Sequence, residues 1–128
     1  MHRIVRSSPI VVVDDDASSV EVMAAILQSS GYASVTVPLG DSTTISKRLL
    51  ELDPAVVFLD LTLGRADGRD IARQLRGAGS KSYLIACTGW GAEEDVLSAL
   101  AAGFDEHWLK PFEVAQMRHW LDMHMPTR

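Results

Sequence analysis

A chain of 128 residues suits one domain with a single buried core, and 47% hydrophobic against 23% charged residues argues against a disordered chain. The net charge of -5, with its twelve Lys and Arg scattered rather than clustered, argues against direct nucleic-acid binding. Cys87 is alone and so excludes an intramolecular disulfide, the apolar runs are too short to span a bilayer, and no signal-peptide pattern is present; a soluble cytoplasmic domain with no membrane partner is expected.

Apolar, β-rich runs at Ile10 to Val13, Ser34 to Val37, Val56 to Leu59, Tyr83 to Cys87 and His107 to Leu109 predict five strands, with helical patterns between them. The first helix places Val20, Met23, Ala24 and Leu27 on one face, opens with Ser18 and Glu21 at capping-box spacing and stops at Gly31. Asp41 is placed to cap a second helix carrying Ile45, Leu49 and Leu52, which Pro54 ends. Ile71, Ala72 and Leu75 mark a third helix. Val96, Leu97 and Leu100 mark a fourth that ends at Gly103, and Val114, Met117 and Leu121 mark a fifth. Met117, Trp120 and Leu121 read as packing residues, and His2, His119 and His124 as solvated. Strands alternating with helices of this length predict an α/β three-layer sandwich around a mostly parallel sheet.

Ligands of such sheets bind beyond the carboxyl ends of the strands. Here those ends carry Asp14, Asp15 and Asp16, then Asp60, then Thr88, then Lys110 before Pro111. Converging carboxylates repel one another unless a cation or protons intervene, and oxygen ligands of this kind suit Mg²⁺ rather than zinc. Taken singly, each residue has a plainer reading: Asp16 as a helix cap, Thr88 as a loop hydroxyl, Lys110 as a surface charge.

In combination, Val11-Val12-Val13-Asp14-Asp15-Asp16, Phe58-Leu59-Asp60-Leu61-Thr62-Leu63, Asp67-Gly68, Cys87-Thr88-Gly89 and Leu109-Lys110-Pro111-Phe112 resemble, in order, the motifs of response regulator receiver domains. The resemblance covers nearly the whole chain. It implies a flavodoxin-like fold, with a five-stranded parallel sheet of order 2-1-3-4-5 and five helices, over residues 1–128 (core about 8–125) with no output domain. Asp60 would be the phosphoacceptor; Asp14, Asp15, Asp60 and the Thr62 backbone carbonyl would hold Mg²⁺; Thr88 and Lys110 would contact the phosphoryl group. The donor would be a sensor histidine kinase or a histidine phosphotransfer protein. Output would pass to a protein target through the face formed by the fourth helix, fifth strand and fifth helix. The domain would be a signalling switch, not an enzyme, that assists its own phosphorylation and dephosphorylation. The Lys110-Pro111 bond resembles the family's cis peptide.

The chain departs from the family pattern at three places. His107 stands where a large aromatic switch residue is usual, with Trp108 expected on the opposite face of its strand. Gly64 replaces a common proline, which predicts a more mobile loop from Gly64 to Gly68. Trp90, two residues after Thr88, is expected to restrict water and slow dephosphorylation. Other readings are a receiver excised from a hybrid histidine kinase, a phosphorylation-independent binding module, and an Mg²⁺-dependent phosphatase of the haloacid-dehalogenase type with Asp14 and Asp16 as its DxD pair.

Overall fold

Val, Ile and Leu dominate the strands because most strand positions are covered on both sides, a demand that only a sheet sandwiched between helices makes. The structure, a computed structural model, describes residues 9–89 and 91–125. In chain order it contains β1 (Ile10–Val13), α1 (Ala17–Ser29), β2 (Ser34–Thr36), α2 (Ser42–Leu52), β3 (Val56–Asp60), β4 (Thr62–Leu63), β5 (Ala66–Asp67), α3 (Gly68–Gly77), β6 (Tyr83–Thr88), α4 (Glu93–Ala102), β7 (Glu106–Leu109) and α5 (Val114–His124). The main sheet is parallel with order β2-β1-β3-β6-β7. Counting only its five strands, this is the expected 2-1-3-4-5.

The remaining strands, β4 and β5, form an antiparallel pair that was not expected. Gly64, with φ of 68°, starts its two-residue turn, and Arg65 keeps a negative φ, the pattern of a type II′ hairpin. The stretch expected to be a mobile loop is therefore a paired hairpin, and glycine is the residue its turn requires.

One core lies between the sheet and α2, α3 and α4, and includes Val11, Ile45, Leu49, Val57, Ile71, Leu75, Leu84 and Ala99. The other lies beneath α1 and α5 and includes Val12, Leu27, Phe58, Trp108, Met117 and Trp120. No helix among the described residues is long and apolar enough to cross a membrane.

Several local expectations change. Of the two caps the sequence offers for α1, Asp16 serves, as one of its readings expected, and Ser18 does not: the Asp16 carboxylate accepts from the Ser18 backbone N–H and the Ser19 hydroxyl, so the helix starts earlier than the Ser18/Glu21 spacing implied. Asp41 caps α2 as expected, accepting from the Thr44 N–H at 2.7 Å. In α4, Leu97 and Leu100 face solvent while Ala99 and Ala102 are buried, because this helix lies close to its neighbours and its contact face takes small side chains. Val114 of α5 is likewise exposed, and Met117, Trp120 and Leu121 supply the buried face. Gly103, at φ of 118°, ends α4, and Arg76 donates from its Nε to the Gly103 carbonyl at 2.9 Å, pinning that end to α3.

Candidate functional site

Side chains alternate along a strand, so Asp14 follows Val12 and Asp60 follows Phe58 on the sheet face that carries α1 and α5. Because β1 and β3 are adjacent and in register, with Val12 opposite Phe58, the two aspartates emerge side by side. Both are buried, whereas Asp15 is exposed. One carboxylate oxygen from each of Asp14, Asp15 and Asp60 lies within 4.8 Å of the others. All are hard oxygen donors, with one carboxylate open to solvent, and this fits a hydrated divalent cation such as Mg²⁺.

The cation supplied by the chain itself is Lys110. Its backbone N–H donates to the Thr88 carbonyl at 2.7 Å, which carries the β6–β7 ladder one residue further and sets Lys110 at the mouth of the site. The Lys110-Pro111 peptide is cis, as the resemblance implied. The ammonium donates to Asp60 Oδ2 at 3.0 Å and also to Asp14 Oδ2. The second oxygen of each aspartate is held by backbone: Asp60 Oδ1 accepts from the Thr62 N–H at 3.0 Å, and Asp14 Oδ1 from the Asp16 N–H at 2.9 Å.

Burial holds the Asp60 carboxyl above the usual aspartate range, and the bonds from Thr62 and Lys110 only partly offset it. For Lys110, burial alone would lower the ammonium, but the hydrogen bonds and charges of Asp14 and Asp60 prevail and raise it. The site thus keeps a partly desolvated, comparatively basic carboxylate beside a fixed positive charge. Cys87, opposite Asp60 in the β3–β6 register, is buried and its thiol is pushed up by that burial, which removes it as a nucleophile.

The Asp67-Gly68 pair also has a physical reason. Asp67 caps α3 by accepting from the Arg69 N–H at 2.8 Å. A Cβ on Gly68 would lie 2.5 Å from the Asp60 carbonyl oxygen and 2.9 Å from Leu61 Cα, so only glycine lets α3 start against the end of β3.

The structure brings Asp14, Asp15, Asp60 and Lys110 together. Thr88 is buried at the end of β6, one residue past the partner of Asp60. Asp16 stays outside the cluster as a helix cap. His107 pairs with Ala86 and lies back along β7 from Lys110; its buried Nε2 has no hydrogen-bond partner among the described residues. Trp108 is on the opposite face, within the core under α1 and α5, as expected. His119 and His124 are exposed, although His124 stacks on Trp120 at 4.6 Å. Trp90 and His2 lie outside the described residues. A groove of about 290 Å³ opens between α1 and the start of α5, lined by Val22, Met23, Lys110, Phe112 and Val114 among others. Sequence reasoning missed it, and also missed Glu106, whose carboxylate collects three side-chain donors. The available signal was a glutamate two residues before a strand tryptophan.

Comparison with known proteins bears on the family and the fold. The family model of the response regulator receiver domain matches residues 10–122. The DNA-binding response regulator MtrA of Mycolicibacterium paratuberculosis is 36% identical over 108 residues, covering 84% of this chain and 47% of that protein. The chain therefore spans about half the length of that relative. Among solved structures, a two-component response regulator from Clostridium difficile superposes with a TM-score of 0.82 at 16% identity, covering 92% of this chain and 95% of that one. The BeF3-activated N-terminal receiver domain of Klebsiella pneumoniae RstA gives 0.81 at 24% identity, covering 93% and 99%. These two likenesses establish the fold.

Proposed function

This chain belongs to the response regulator receiver domain family, the signalling switches of two-component systems, and on that premise we propose that Asp60 accepts a phosphoryl group from a phosphohistidine donor. The observation that supports this most directly is the convergence of Asp14, Asp15, Asp60 and Lys110 at one edge of the sheet.

In this reading an Asp60 carboxylate oxygen attacks phosphorus, the phosphorus–nitrogen bond to the donor histidine breaks, and an acyl phosphate remains on Asp60. Lys110 is already bonded to Asp60 and shifts its hydrogen bond to a phosphoryl oxygen. Thr88 donates its hydroxyl to another. Asp14, Asp15, Asp60 and the Thr62 carbonyl would hold Mg²⁺, which when bound neutralises charge on the transferred oxygens. The same groups assist the later attack of water that resets the switch.

The donor, a sensor histidine kinase or a histidine phosphotransfer protein, approaches along the groove beside Lys110. Output passes through α4, β7 and α5, where Leu97, Leu100, Leu109 and Val114 expose apolar side chains toward a protein target. Thr88 and His107 lie on β6 and β7 beneath this face and form the switch pair. The net charge of -5 supports a protein rather than a nucleic acid as direct partner, in the cytoplasm.

The test is incubation with acetyl phosphate, with and without Mg²⁺, followed by intact mass spectrometry of wild type and Asp60→Asn. A phosphoryl adduct on wild type alone, dependent on Mg²⁺, is expected. No adduct on folded wild type would overturn the reading in favour of a phosphorylation-independent binding module.

A further inference from the structure

Glu106 accepts from the Tyr83 hydroxyl at 2.6 Å and from the Trp120 indole N–H at 2.6 Å, both through Oε2, and from the Trp108 indole N–H at 3.1 Å through Oε1. One half-buried carboxylate thereby joins β6, β7 and α5. Burial alone would lift its pKa, but the bonds from Tyr83, Trp108 and Trp120 prevail and hold it below the usual glutamate range. The rings around it are closely set: Trp108 lies edge-on to Phe58, Phe112 and Trp120, with centroids 5.5, 5.1 and 6.3 Å apart. His124 covers the outer face of Trp120.

The placement along β7 gives this cluster a consequence. Glu106, Trp108 and Lys110 alternate onto the same side of the chain, Lys110 reaching Asp14 and Asp60 while Glu106 grips α5. A shift of the Lys110 end of β7 therefore moves the acceptor on which Trp120 depends, and bonds this short and directional fail with small displacement.

We propose that Glu106 is a positioning residue that couples α5 to β7, so that the change at Lys110 on phosphorylation of Asp60 is transmitted to the outer helix through the Glu106–Trp120 hydrogen bond. This rests on the phosphoacceptor reading above. Leucine at 106 offers no acceptor to Tyr83, Trp108 or Trp120, so it breaks the bridge while roughly preserving volume; glutamine would not, because its carbonyl oxygen can take the place of Oε2.

The experiment follows the indole N–H resonances of Trp108 and Trp120 by NMR before and after acetyl phosphate with Mg²⁺, with intact mass recording the adduct. In wild type the Trp120 indole resonance shifts on phosphorylation. In Glu106→Leu the adduct still forms and that shift is lost. Trp120→Phe, which keeps the packing and removes the donor, provides a second variant: α5 amide exchange, sensitive to phosphorylation in wild type, becomes insensitive. An adduct on Glu106→Leu with a wild-type Trp120 shift, or on Trp120→Phe with a wild-type α5 exchange response, overturns the coupling alone. Absence of an adduct on wild type overturns the phosphoacceptor reading and the coupling with it.

Discussion

Against one side of the sheet, α1 and α5 cover a core rich in rings, with Phe58, Trp108 and Trp120 packed edge to face and Tyr83 and Phe112 at its margin. Against the other, α2, α3 and α4 cover an aliphatic core in which Phe104 is the one aromatic residue among those described as buried. Aromatic pairs favour particular angles and contribute about 0.5–1.5 kcal/mol each beyond area burial, whereas aliphatic contacts are nearly indifferent to rotation. The first side also carries the Glu106 hydrogen bonds and, at its upper end, Asp14, Asp60 and Lys110. On the second side α4 buries only Ala99 and Ala102 and is pinned at its C-terminal end by Arg76. The contrast teaches a division of labour: α5 is fixed in orientation by rings and hydrogen bonds, whereas α4 is seated on two small buried side chains and anchored at one end by Arg76.

Substitutions at the two sides should separate these behaviours. The largest effect is expected from Phe58→Ala, which removes a fully buried ring from three-way packing and should lower unfolding free energy by about 3–5 kcal/mol in urea titration. A loss below 1 kcal/mol would show that the aromatic side is not the rigid one. Next, Glu106→Leu should cost about 1–3 kcal/mol at neutral pH by leaving indole and phenol donors without their acceptor. The carboxyl of Glu106 lies lower in the folded state than its ordinary 4.5, so its contribution is fully present above that pH and fades as acid is added through the lowered value. The variant should therefore lose part of the wild-type decline in stability below pH 4.5, as read from melting midpoints.

A smaller change should follow Mg²⁺ addition, which at tenfold its Kd would stabilise wild type by about 1.4 kcal/mol through mass action. Asp60→Asn should reduce that gain. Because the Asp60 carboxyl is raised above its ordinary 3.8, its folded-state contribution is present at low pH and lost as pH rises through the raised value; without divalent cations Asp60→Asn should thus melt higher at pH 7 than wild type. A lower midpoint would contradict the burial argument. The smallest effect belongs to Leu97→Gln with Leu100→Gln, exposed positions where stability should stay within about 0.5 kcal/mol in calorimetry. If output uses α4, binding to the target would be impaired nonetheless.

Much of this architecture was legible because strand runs and helix periods obey different spacings, and because the ends of parallel strands meet at one edge. Asp14, Asp60 and Lys110 could be placed together on that ground alone. The α4 face was misread because Leu97 and Leu100 satisfy a helical period as well as Ala99 and Ala102 do, and only the proximity of neighbouring elements decides which face is covered. For α1 the sequence offered two caps, Asp16 and Ser18, because either side chain can serve; the backbone selects the earlier one. The β4–β5 hairpin was hidden by its brevity, although the Gly64 that was read as a departure is its turn residue. Glu106 was missed for a different reason: its spacing from Trp108 hints at one donor only, while the others come from β6 and α5, and no local pattern joins Tyr83 to Trp120.

The lone Cys87 sits in a central strand, between Asp60 on β3 and Trp108 on β7. Buried and protonated, its thiol is closed to alkylating reagents until β6 loses a neighbour. The rate at which it is labelled is therefore a clock for opening of the sheet's centre, readable in native buffer without heat or denaturant. Run before and after incubation with acetyl phosphate and Mg²⁺, this clock would report whether the strands beside Asp60 tighten.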